Sequence, residues 1–310
     1  MIEKIIVNVA SYRRIESLVK TLESIIDQCD VVNVALNDFD GGLPSILYND
    51  KINLFFTDNS KGDAFKFLRL EDSDGYYFSI DDDLIYPPTY VNDTIKKCKE
   101  FNNKKVVTYH GRNFSSFPIF SYYKSATERY TCLNRVDEDV KVQFGGTGVM
   151  CFHTSLMKIP LNYFQNPNMA DVWVGKYCIE NNIDIICLKH DEGYIKYTPQ
   201  KTTIYDLESK NDKIQTLVTN SIYDKTIKLN QDLNNISIET KIEPKKQEKI
   251  KIEQKIELNK KQLNYEKINS IFQVRSNTTI SKPNNQQNTN NLKLNSQTIS
   301  KLQISKKRFR

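Results

Sequence analysis

The sequence predicts an α/β fold with a mainly parallel, Rossmann-like sheet covered by helices on both faces. Two observations lead to this class. Short apolar runs rich in strand formers alternate with helical segments over residues 5–109, and this alternation is typical of parallel sheets. Polar and charged residues directly follow the predicted strands, as expected where ligands bind beyond the carboxyl ends of a parallel sheet.

Each predicted element has a local signal in the sequence. The first strand is the apolar run IIVNVA, and the helix after it places Leu18, Leu22 and Ile25 on one face. Pro88 stands where the first turn of a helix tolerates proline. We predict strands at 5–10, 31–36, 52–57, 76–80, 106–109, 142–153 and 184–188, and helices at 15–28, 64–70, 91–101 and 172–181.

Charge and composition divide the chain near residue 224. Residues 225–310 hold 19 Lys or Arg against 7 Asp or Glu, whereas residues 1–224 carry a net charge of −6. Aromatic residues nearly vanish after the division, which predicts a disordered or partly helical tail behind a domain of residues 1–224. The basic balance belongs to the tail, so we expect no nucleic-acid partner. The basic end, residues 306–310, is either a solvated tail or a contact with anionic lipid.

Cysteine usage and hydropathy predict a cytoplasmic protein. The six cysteines form no CxxC pair, so we expect buried, reduced thiols rather than a zinc cluster. The first residues lack the features of a signal peptide, and no run approaches the roughly 20 apolar residues of a membrane helix. Membrane contact is therefore expected only at the inner face of a membrane, through the basic tail.

The most informative stretch is the strand at 76–80 and the three carboxylates after it, Asp81, Asp82 and Asp83. A buried strand end cannot hold three adjacent like charges without a cationic partner. Because side chains alternate along a strand, we expect Asp81 and Asp83 on one side and Asp82 on the other. Two carboxylates on one side suit a hard divalent cation that keeps open positions for phosphate oxygens. The alternative is a solvated acidic turn before the two prolines.

Residues 112–142 interrupt the alternating pattern with a run of aromatic and polar residues. This run is either a substrate-facing excursion or an aromatic plug packed on the sheet. The glycines in the strand that follows allow a ligand or another backbone to come close. The residues concerned are Phe114, Phe117, Phe120, Tyr122 and Tyr123 in the run, and Gly145, Gly146 and Gly148 in the strand.

The order of these parts resembles the inverting family-2 glycosyltransferases of the GT-A fold over roughly residues 3–200. Their DxD-type motif at the end of the fourth strand corresponds here to IDDDLIYPPTYV. Their basic residue four positions after a glycine corresponds to Gly62 and Lys66 in GDAFKF, and their first loop corresponds to SYRR. Their catalytic carboxylate near a helix start corresponds to Asp171 in NMADVW.

This resemblance implies transfer of a sugar from a nucleotide sugar, a UDP-sugar above others, to a hydroxyl acceptor, with inversion and with Mn²⁺ or Mg²⁺. The acceptor is a glycan or a lipid-linked or protein-linked hydroxyl, and its class stays open because the usual acceptor motif is absent. The implied catalytic base is Asp171, and the implied metal ligands are Asp83 and Asp81. The implied nucleotide-sugar contacts are Ala10, Ser11, Arg13, Arg14, Asp38, Gly62, Asp63, Lys66, Asp81 and Asp82.

Competing interpretations accompany these assignments. Asp171 could instead cap the helix that follows it. His190, after the last predicted strand, is either a further metal ligand or a structural residue. For the whole chain the alternatives are a non-catalytic sugar-nucleotide-binding protein and a metal-dependent phosphohydrolase with an aspartate nucleophile. The phosphohydrolase fits less well, because such enzymes carry their acidic cluster after the first strand and this chain carries it after the fourth.

Overall fold

The computed structural model of the chain describes residues 3–200, 204 and 208–224. Two interpretations of the sequence concern residues outside this range and stay predictions. They are the low-complexity tail at 225–310 and the basic patch at its end. The boundary of the predicted domain at residue 224 likewise stays a prediction.

The predicted α/β class is confirmed. The main sheet has the strand order β3-β2-β1-β4-β11-β6-β12-β9, and two of its strands, β11 and β9, run against the other six. In chain order the strands are β1 (Ile5–Tyr12), β2 (Val31–Asn37), β3 (Ile52–Thr57), β4 (Tyr76–Asp81), β5 (Leu84–Ile85), β6 (Val106–Thr108), β7 (Gly111–Asn113), β8 (Glu128–Tyr130), β9 (Val140–Val142), β10 (Phe144–Gly145), β11 (Val149–His153), β12 (Ile185–Cys187) and β13 (Lys196–Tyr197).

Helices flank the sheet and connect its strands. The α-helices of the described residues are α1 (Ile15–Ile25), α2 (Tyr90–Glu100), α3 (Ala170–Glu180) and α4 (Lys213–Tyr223). Short 3₁₀ helices lie at Ile26–Gln28, Ser45–Tyr48, Gly62–Phe67 and Leu161–Tyr163. None of the helices in this part of the chain has the length and apolarity needed to cross a membrane.

Two predicted elements and one region without predicted elements differ from the structure. The predicted strand at 142–153 is two strands, β10 and β11, separated at residues 146–148. The predicted helix at 64–70 is the 3₁₀ helix Gly62–Phe67. The interrupted region contains three short strands, β7, β8 and β9, which pattern reading missed because each has only three residues.

Two hydrophobic cores cover the two faces of the sheet. The first joins Val7 and Val9 of β1 to Leu18 of α1 and Tyr90 of α2. The second joins Tyr77 of β4 to Trp173 of α3 and to the aromatic run. Within the aromatic run, Phe114 and Tyr122 are buried in the second core. Much of the run therefore forms the aromatic plug on the sheet that one of the two interpretations predicted. All six cysteines are buried and none is in a disulfide.

A row of asparagines fixes the register of the first three strands. Asn8, Asn33 and Asn53 are paired across β1, β2 and β3. The Asn33 amide donates to Asn8 Oδ1 at 2.8 Å, and the Asn53 amide donates to Asn33 Oδ1 at 3.0 Å. A one-residue slip would move a buried amide to the opposite, apolar face, so the row holds the carboxyl ends of these strands at one edge.

We predict that Gly75→Ala destabilises the fold through the start of β4. Gly75 has φ +126°, and a Cβ at this position would overlap the backbone of Lys4, whose carbonyl accepts the Tyr76 N–H at 2.8 Å. Alanine in this conformation should lower the free energy of unfolding by more than about 1 kcal/mol. Urea unfolding measures the change. The control is Gly42→Ala, where a Cβ would meet nothing within 4 Å. Equal effects of the two substitutions would contradict the prediction.

Candidate active site

Two cationic side chains hold the acidic turn at the end of β4. Lys66 Nζ lies 2.5 Å from Asp81 Oδ1. Arg14 bridges the other two carboxylates, with Nη2 at 2.5 Å from Asp82 Oδ1 and Nη1 at 2.8 Å from Asp83 Oδ2. The three like charges at this strand end are therefore joined by cations, as the sequence required, and the cations come from distant parts of the chain.

The predicted alternation of the three carboxylates is wrong beyond Asp81. Because β4 ends at Asp81, Asp82 and Asp83 lie in a turn and converge on one guanidinium instead of facing opposite sides. The turn is not the solvated one of the alternative interpretation either. The Asp82 side chain is 1% exposed and that of Asp83 is 13% exposed, whereas that of Asp81 is 44% exposed.

Backbone contacts fix the position of Asp81. The Tyr86 hydroxyl donates to the Gly148 carbonyl at 2.6 Å and accepts the Asp81 N–H at 3.1 Å. A Cβ at Gly148 would overlap the Asp81 carboxylate, so glycine is required for the carboxylate to lie there. The turn before β11 and the end of β4 are thus joined into one rigid unit.

The 3₁₀ helix Gly62–Phe67 connects the acidic turn to the start of α3. Lys66 is on this helix, and so is Asp63, whose Oδ2 accepts the first N–H of α3, that of Ala170, at 3.2 Å. Gly62 has φ +54°, and a side chain there would overlap Asn168. The motif GDAFKF therefore supplies one ion pair to the acidic turn and one hydrogen bond to α3.

Asp171 lies in the first turn of α3 with both carboxylate oxygens engaged. Its Oδ1 accepts the Val172 N–H at 3.0 Å, and its Oδ2 accepts the Tyr122 hydroxyl at 2.9 Å. The N-cap position belongs to Met169, so Asp171 is not the helix cap of the competing interpretation. A carboxylate in a first helical turn interacts favourably with the helix dipole.

Further side chains surround Asp171. The Arg112 guanidinium lies 4.4 Å from the centre of the Tyr122 ring and 5.2 Å from that of Tyr123. His110 interacts electrostatically with both Asp171 and Asp81, and burial together with Arg112 lowers its pKa to about 4. At neutral pH the imidazole is therefore uncharged, with one ring nitrogen able to donate and the other able to accept a hydrogen bond.

Burial favours the protonated form of all three carboxyl groups of the acidic turn, and the neighbouring cations oppose it to different extents. It raises the pKa of Asp82 to about 7 despite the opposing effect of Arg14, and it raises the pKa of Asp83 to about 6. For Asp81 the burial penalty is outweighed by Lys66 and Arg14, which hold its pKa below the usual range. Asp81 thus carries the most firmly ionised carboxylate of the turn.

Asp63 is the other strongly perturbed carboxyl group. Burial raises its pKa to about 7, opposed by Lys66 and reinforced by Asp171. Its Oδ1 is buried without a hydrogen-bond partner among the described residues. A carboxyl that is neutral over part of the physiological range reduces the repulsion between Asp63 and the two carboxylates on either side of it.

The carboxylate oxygens of the acidic turn fit a divalent cation that takes most of its ligands from phosphate groups and water. Asp81 Oδ2 and Asp83 Oδ1 lie outside the two ion pairs. Within the part of the chain that the structure describes, no group of three or more His, Cys, Asp or Glu side chains could hold a metal alone. One or two carboxylates with phosphate oxygens and water are the usual ligands of Mg²⁺ in nucleotide sites.

His190 has a structural setting in the described chain. Its side chain is buried, with Nδ1 at 2.7 Å from the Leu188 carbonyl and Nε2 at 3.3 Å from the Thr131 carbonyl. Its ring also packs edge-on against Tyr109. Each ring nitrogen therefore faces a backbone carbonyl, and metal ligation by His190 stays a prediction that would require the ring to leave this position.

The remaining predicted nucleotide contacts lie at the carboxyl ends of β1 and β2. Ala10 is paired with Asp81 across the sheet, and Ser11 is buried at the end of β1. Arg13 and Asp38 follow β1 and β2 with φ of +57° and +48°. Such left-handed conformations are unfavourable for bulky residues and are held at sharp turns and functional sites.

Sequence reasoning missed several residues of this site. Tyr122, Arg112, His110 and Tyr86 were not proposed, because their roles depend on contacts across 5 to 62 positions and not on a motif. A usable signal existed for two of them. Tyr86 stands in the same motif as the acidic triplet, and His110 directly follows a predicted strand.

Comparison with known proteins identifies no family for the chain. No protein-family model and no curated protein matches it. Among solved structures, one similar chain is the mannosyltransferase PcManGT from Pyrobaculum calidifontis in complex with GDP-Man and Mn²⁺, with 13% identity and a TM-score of 0.46. The match covers 72% of this chain and 65% of the mannosyltransferase, so this chain spans less than two thirds of that enzyme. Another is CMP:2-keto-3-deoxy-manno-octonic acid synthetase complexed with CTP, with 11% identity, a TM-score of 0.38, and coverage of 70% and 98%.

We predict that Asp63 makes stability fall as the pH rises. Its folded pKa of about 7 exceeds the ordinary value of 3.8, so the unfolded chain releases this proton at lower pH than the folded chain. The free energy of unfolding should therefore decrease between about pH 4 and pH 7, by at most about 1.4 kcal/mol per pH unit for this group. Asp63→Asn removes this contribution and keeps an acceptor for the Ala170 N–H. Urea unfolding across this range should show a shallower decline in the variant, and parallel curves would refute the assignment.

Proposed function

We propose that the chain is a metal-dependent, inverting glycosyltransferase that moves a sugar from a nucleotide sugar, a UDP-sugar, to a hydroxyl of a glycan, lipid-linked or protein-linked acceptor. The observation that carries the proposal is the convergence of an acidic turn, two cations and a separate carboxylate at one edge of the sheet. Lys66 binds Asp81, and Asp63 on the same 3₁₀ helix binds the first N–H of the helix that carries Asp171. A site for a diphosphate and a site for a base are thus built side by side.

The donor half consists of the acidic turn and the ends of β1 and β2. Asp83 and Asp81 would hold Mn²⁺ or Mg²⁺, which would neutralise the charge of the leaving diphosphate. Arg14 is 24% exposed and can approach a phosphate, and Lys66 keeps Asp81 in place. Asp38, at the end of β2, can accept a hydrogen bond from the base or ribose, with Ala10, Ser11, Arg13, Gly62 and Asp82 forming the surrounding wall.

The acceptor half consists of Asp171 and its neighbours. In our proposal the Asp171 carboxylate removes the proton of the acceptor hydroxyl as its oxygen forms a bond to the anomeric carbon. The bond between that carbon and the diphosphate oxygen breaks, and the nucleoside diphosphate leaves with the electron pair. Attack from the side opposite the leaving group inverts the anomeric carbon. Tyr122 and the first turn of α3 keep Asp171 oriented for this step.

We predict that Asp171→Asn separates donor binding from turnover. Asparagine keeps one oxygen that can accept the Val172 N–H, and its amide NH₂ can donate to the Tyr122 hydroxyl, but it lacks the basic carboxylate, so the fold should be retained. Turnover should drop by about 10²–10⁴-fold, the usual contribution of a general base, with donor affinity nearly unchanged. The measurement uses a panel of UDP, GDP, CDP and dTDP sugars with Mn²⁺, scored by melting temperature, donor hydrolysis and transfer to candidate acceptors.

Each alternative function has its own outcome in the same panel. Nucleotide-sugar affinity with no turnover by the parent protein would favour a non-catalytic binding protein. Phosphate release from simple monoesters, without an acceptor, would favour a phosphohydrolase. Unchanged turnover in Asp171→Asn would remove Asp171 from the mechanism.

We further predict that Tyr122→Phe lowers turnover while a matched substitution of another tyrosine that bonds to the same helix does not. Tyr122 donates to Asp171, and Tyr163 donates to Glu180 at the other end of α3, both at 2.9 Å. Each phenylalanine variant loses one hydroxyl–carboxylate hydrogen bond, worth about 1.5–3 kcal/mol when the acceptor is charged. Turnover per molecule of folded protein should fall by about tenfold or more only in Tyr122→Phe. Equal turnover in the two variants would show that Tyr122 serves stability alone.

A further inference from the structure

The two cations of the acidic turn differ in how readily they can move. Lys66 is 2% exposed and lies beneath Asp81, so it is a fixed counter-ion. The Arg14 side chain is 24% exposed at the rim of the turn and divides its guanidinium between the deeply buried Asp82 and the more accessible Asp83. A soluble ligand can therefore reach the Arg14–Asp83 contact but not the Lys66 ammonium.

The backbone on both sides of the Arg14–Asp83 contact is held in place. The Arg14 carbonyl accepts the Leu18 N–H at 3.1 Å and the Ser17 hydroxyl at 3.1 Å, which fixes it to α1. The Asp83 carbonyl accepts the Thr198 N–H at 2.8 Å. Thr21 of α1 also binds the Leu84 carbonyl at 2.8 Å, so α1 and the acidic turn move together. Breaking the ion pair thus requires only rotation of side chains.

Arg14 and a divalent cation would compete for the same carboxylate, that of Asp83. The guanidinium Nη1 already bonds Asp83 Oδ2. Its Nη2 stays paired with the buried Asp82 whether or not a cation occupies Asp83. In the free protein the three carboxylates and two cations leave little net charge to attract a metal. An anionic diphosphate offers the guanidinium a new partner and offers the metal new oxygen ligands.

We propose that Arg14 is a built-in competitor for the divalent cation at Asp83, so that the cation binds tightly only together with a diphosphate that draws the guanidinium away. Arg14 is then a positioning residue that couples metal loading to donor binding. The inference rests on the proposed function in taking a nucleoside diphosphate as the ligand. It predicts weak binding of Mn²⁺ alone and strong binding of Mn²⁺ in the presence of UDP.

The experiment compares two variants that differ only at residue 14. Arg14→Gln alone would leave Asp82 as an unpaired buried carboxylate and could unfold the protein. We therefore pair Asp82→Asn, which keeps Arg14 on Asp83, with the double variant Arg14→Gln/Asp82→Asn. The double variant removes one positive and one negative charge, so its formal local charge equals that of the parent. Free Mn²⁺ is measured by electron paramagnetic resonance, with and without UDP, and no sugar donor or acceptor is needed.

Without nucleotide, the double variant should bind Mn²⁺ at least about tenfold more tightly than Asp82→Asn, the factor expected for one charge-assisted hydrogen bond. Adding Asp83→Asn should abolish this gain, and Arg135→Gln, which breaks an exposed ion pair with Asp137, should produce none. UDP should increase Mn²⁺ affinity more in Asp82→Asn than in the double variant. Equal Mn²⁺ affinities without nucleotide, or a gain that persists after Asp83→Asn, would overturn the proposal.

These outcomes are separate from those of the proposed function. A gain in Mn²⁺ affinity without sugar transfer by the parent protein would support the competition and reject the glycosyltransferase. Sugar transfer by the parent protein, with equal Mn²⁺ affinities in the two variants, would support the glycosyltransferase and reject the competition.

Discussion

The need to neutralise three consecutive carboxylates at the end of β4 constrains the placement of most surrounding elements. Unpaired charges at this depth would be strongly destabilising, so each requires a partner. Arg14 reaches the turn from the start of α1, and Lys66 reaches it from the 3₁₀ helix Gly62–Phe67. The loop after β1 and the connection before β4 are therefore both fixed to the acidic turn at the carboxyl ends of the parallel strands.

Much of the fold followed from local signals in the sequence. Apolar runs of five or six residues, apolar residues at helical spacing and turn residues between them were sufficient to predict β1 to β4 and α1 to α3 to within about three residues. The asparagines in these runs did not obscure the pattern, because their amides bond one another across the sheet. The strands β7 to β9 could not be predicted, since three residues are too few to show a period of two and their pairing is tertiary.

The candidate site was predictable in its residue types but not in its contacts. The sequence indicated that the acidic turn required a cation, and a metal was inferred because no Lys or Arg stands beside it. The structure places two protein cations there, from 69 positions away for Arg14 and 15 for Lys66. Alternation of side chains failed for Asp82 and Asp83 because it applies only while the strand continues. The pairing of Tyr122 with Asp171 across 49 positions leaves no local signal at all.

The 3₁₀ helix Gly62–Phe67 explains how the two halves of the site keep their relative positions. From positions one turn apart it supplies Lys66 to the acidic turn and Asp63 to the first N–H of α3. The Asn37 amide of β2 donates to its first carbonyl, that of Gly62, at 2.9 Å. A displacement of this helix would move Asp81 and the helix that carries Asp171 together. The Arg14 guanidinium, in contrast, is paired with Asp82 and Asp83 and lies at the rim. The buried lysine thus maintains the geometry of both halves, and the exposed arginine can exchange partners without disturbing it.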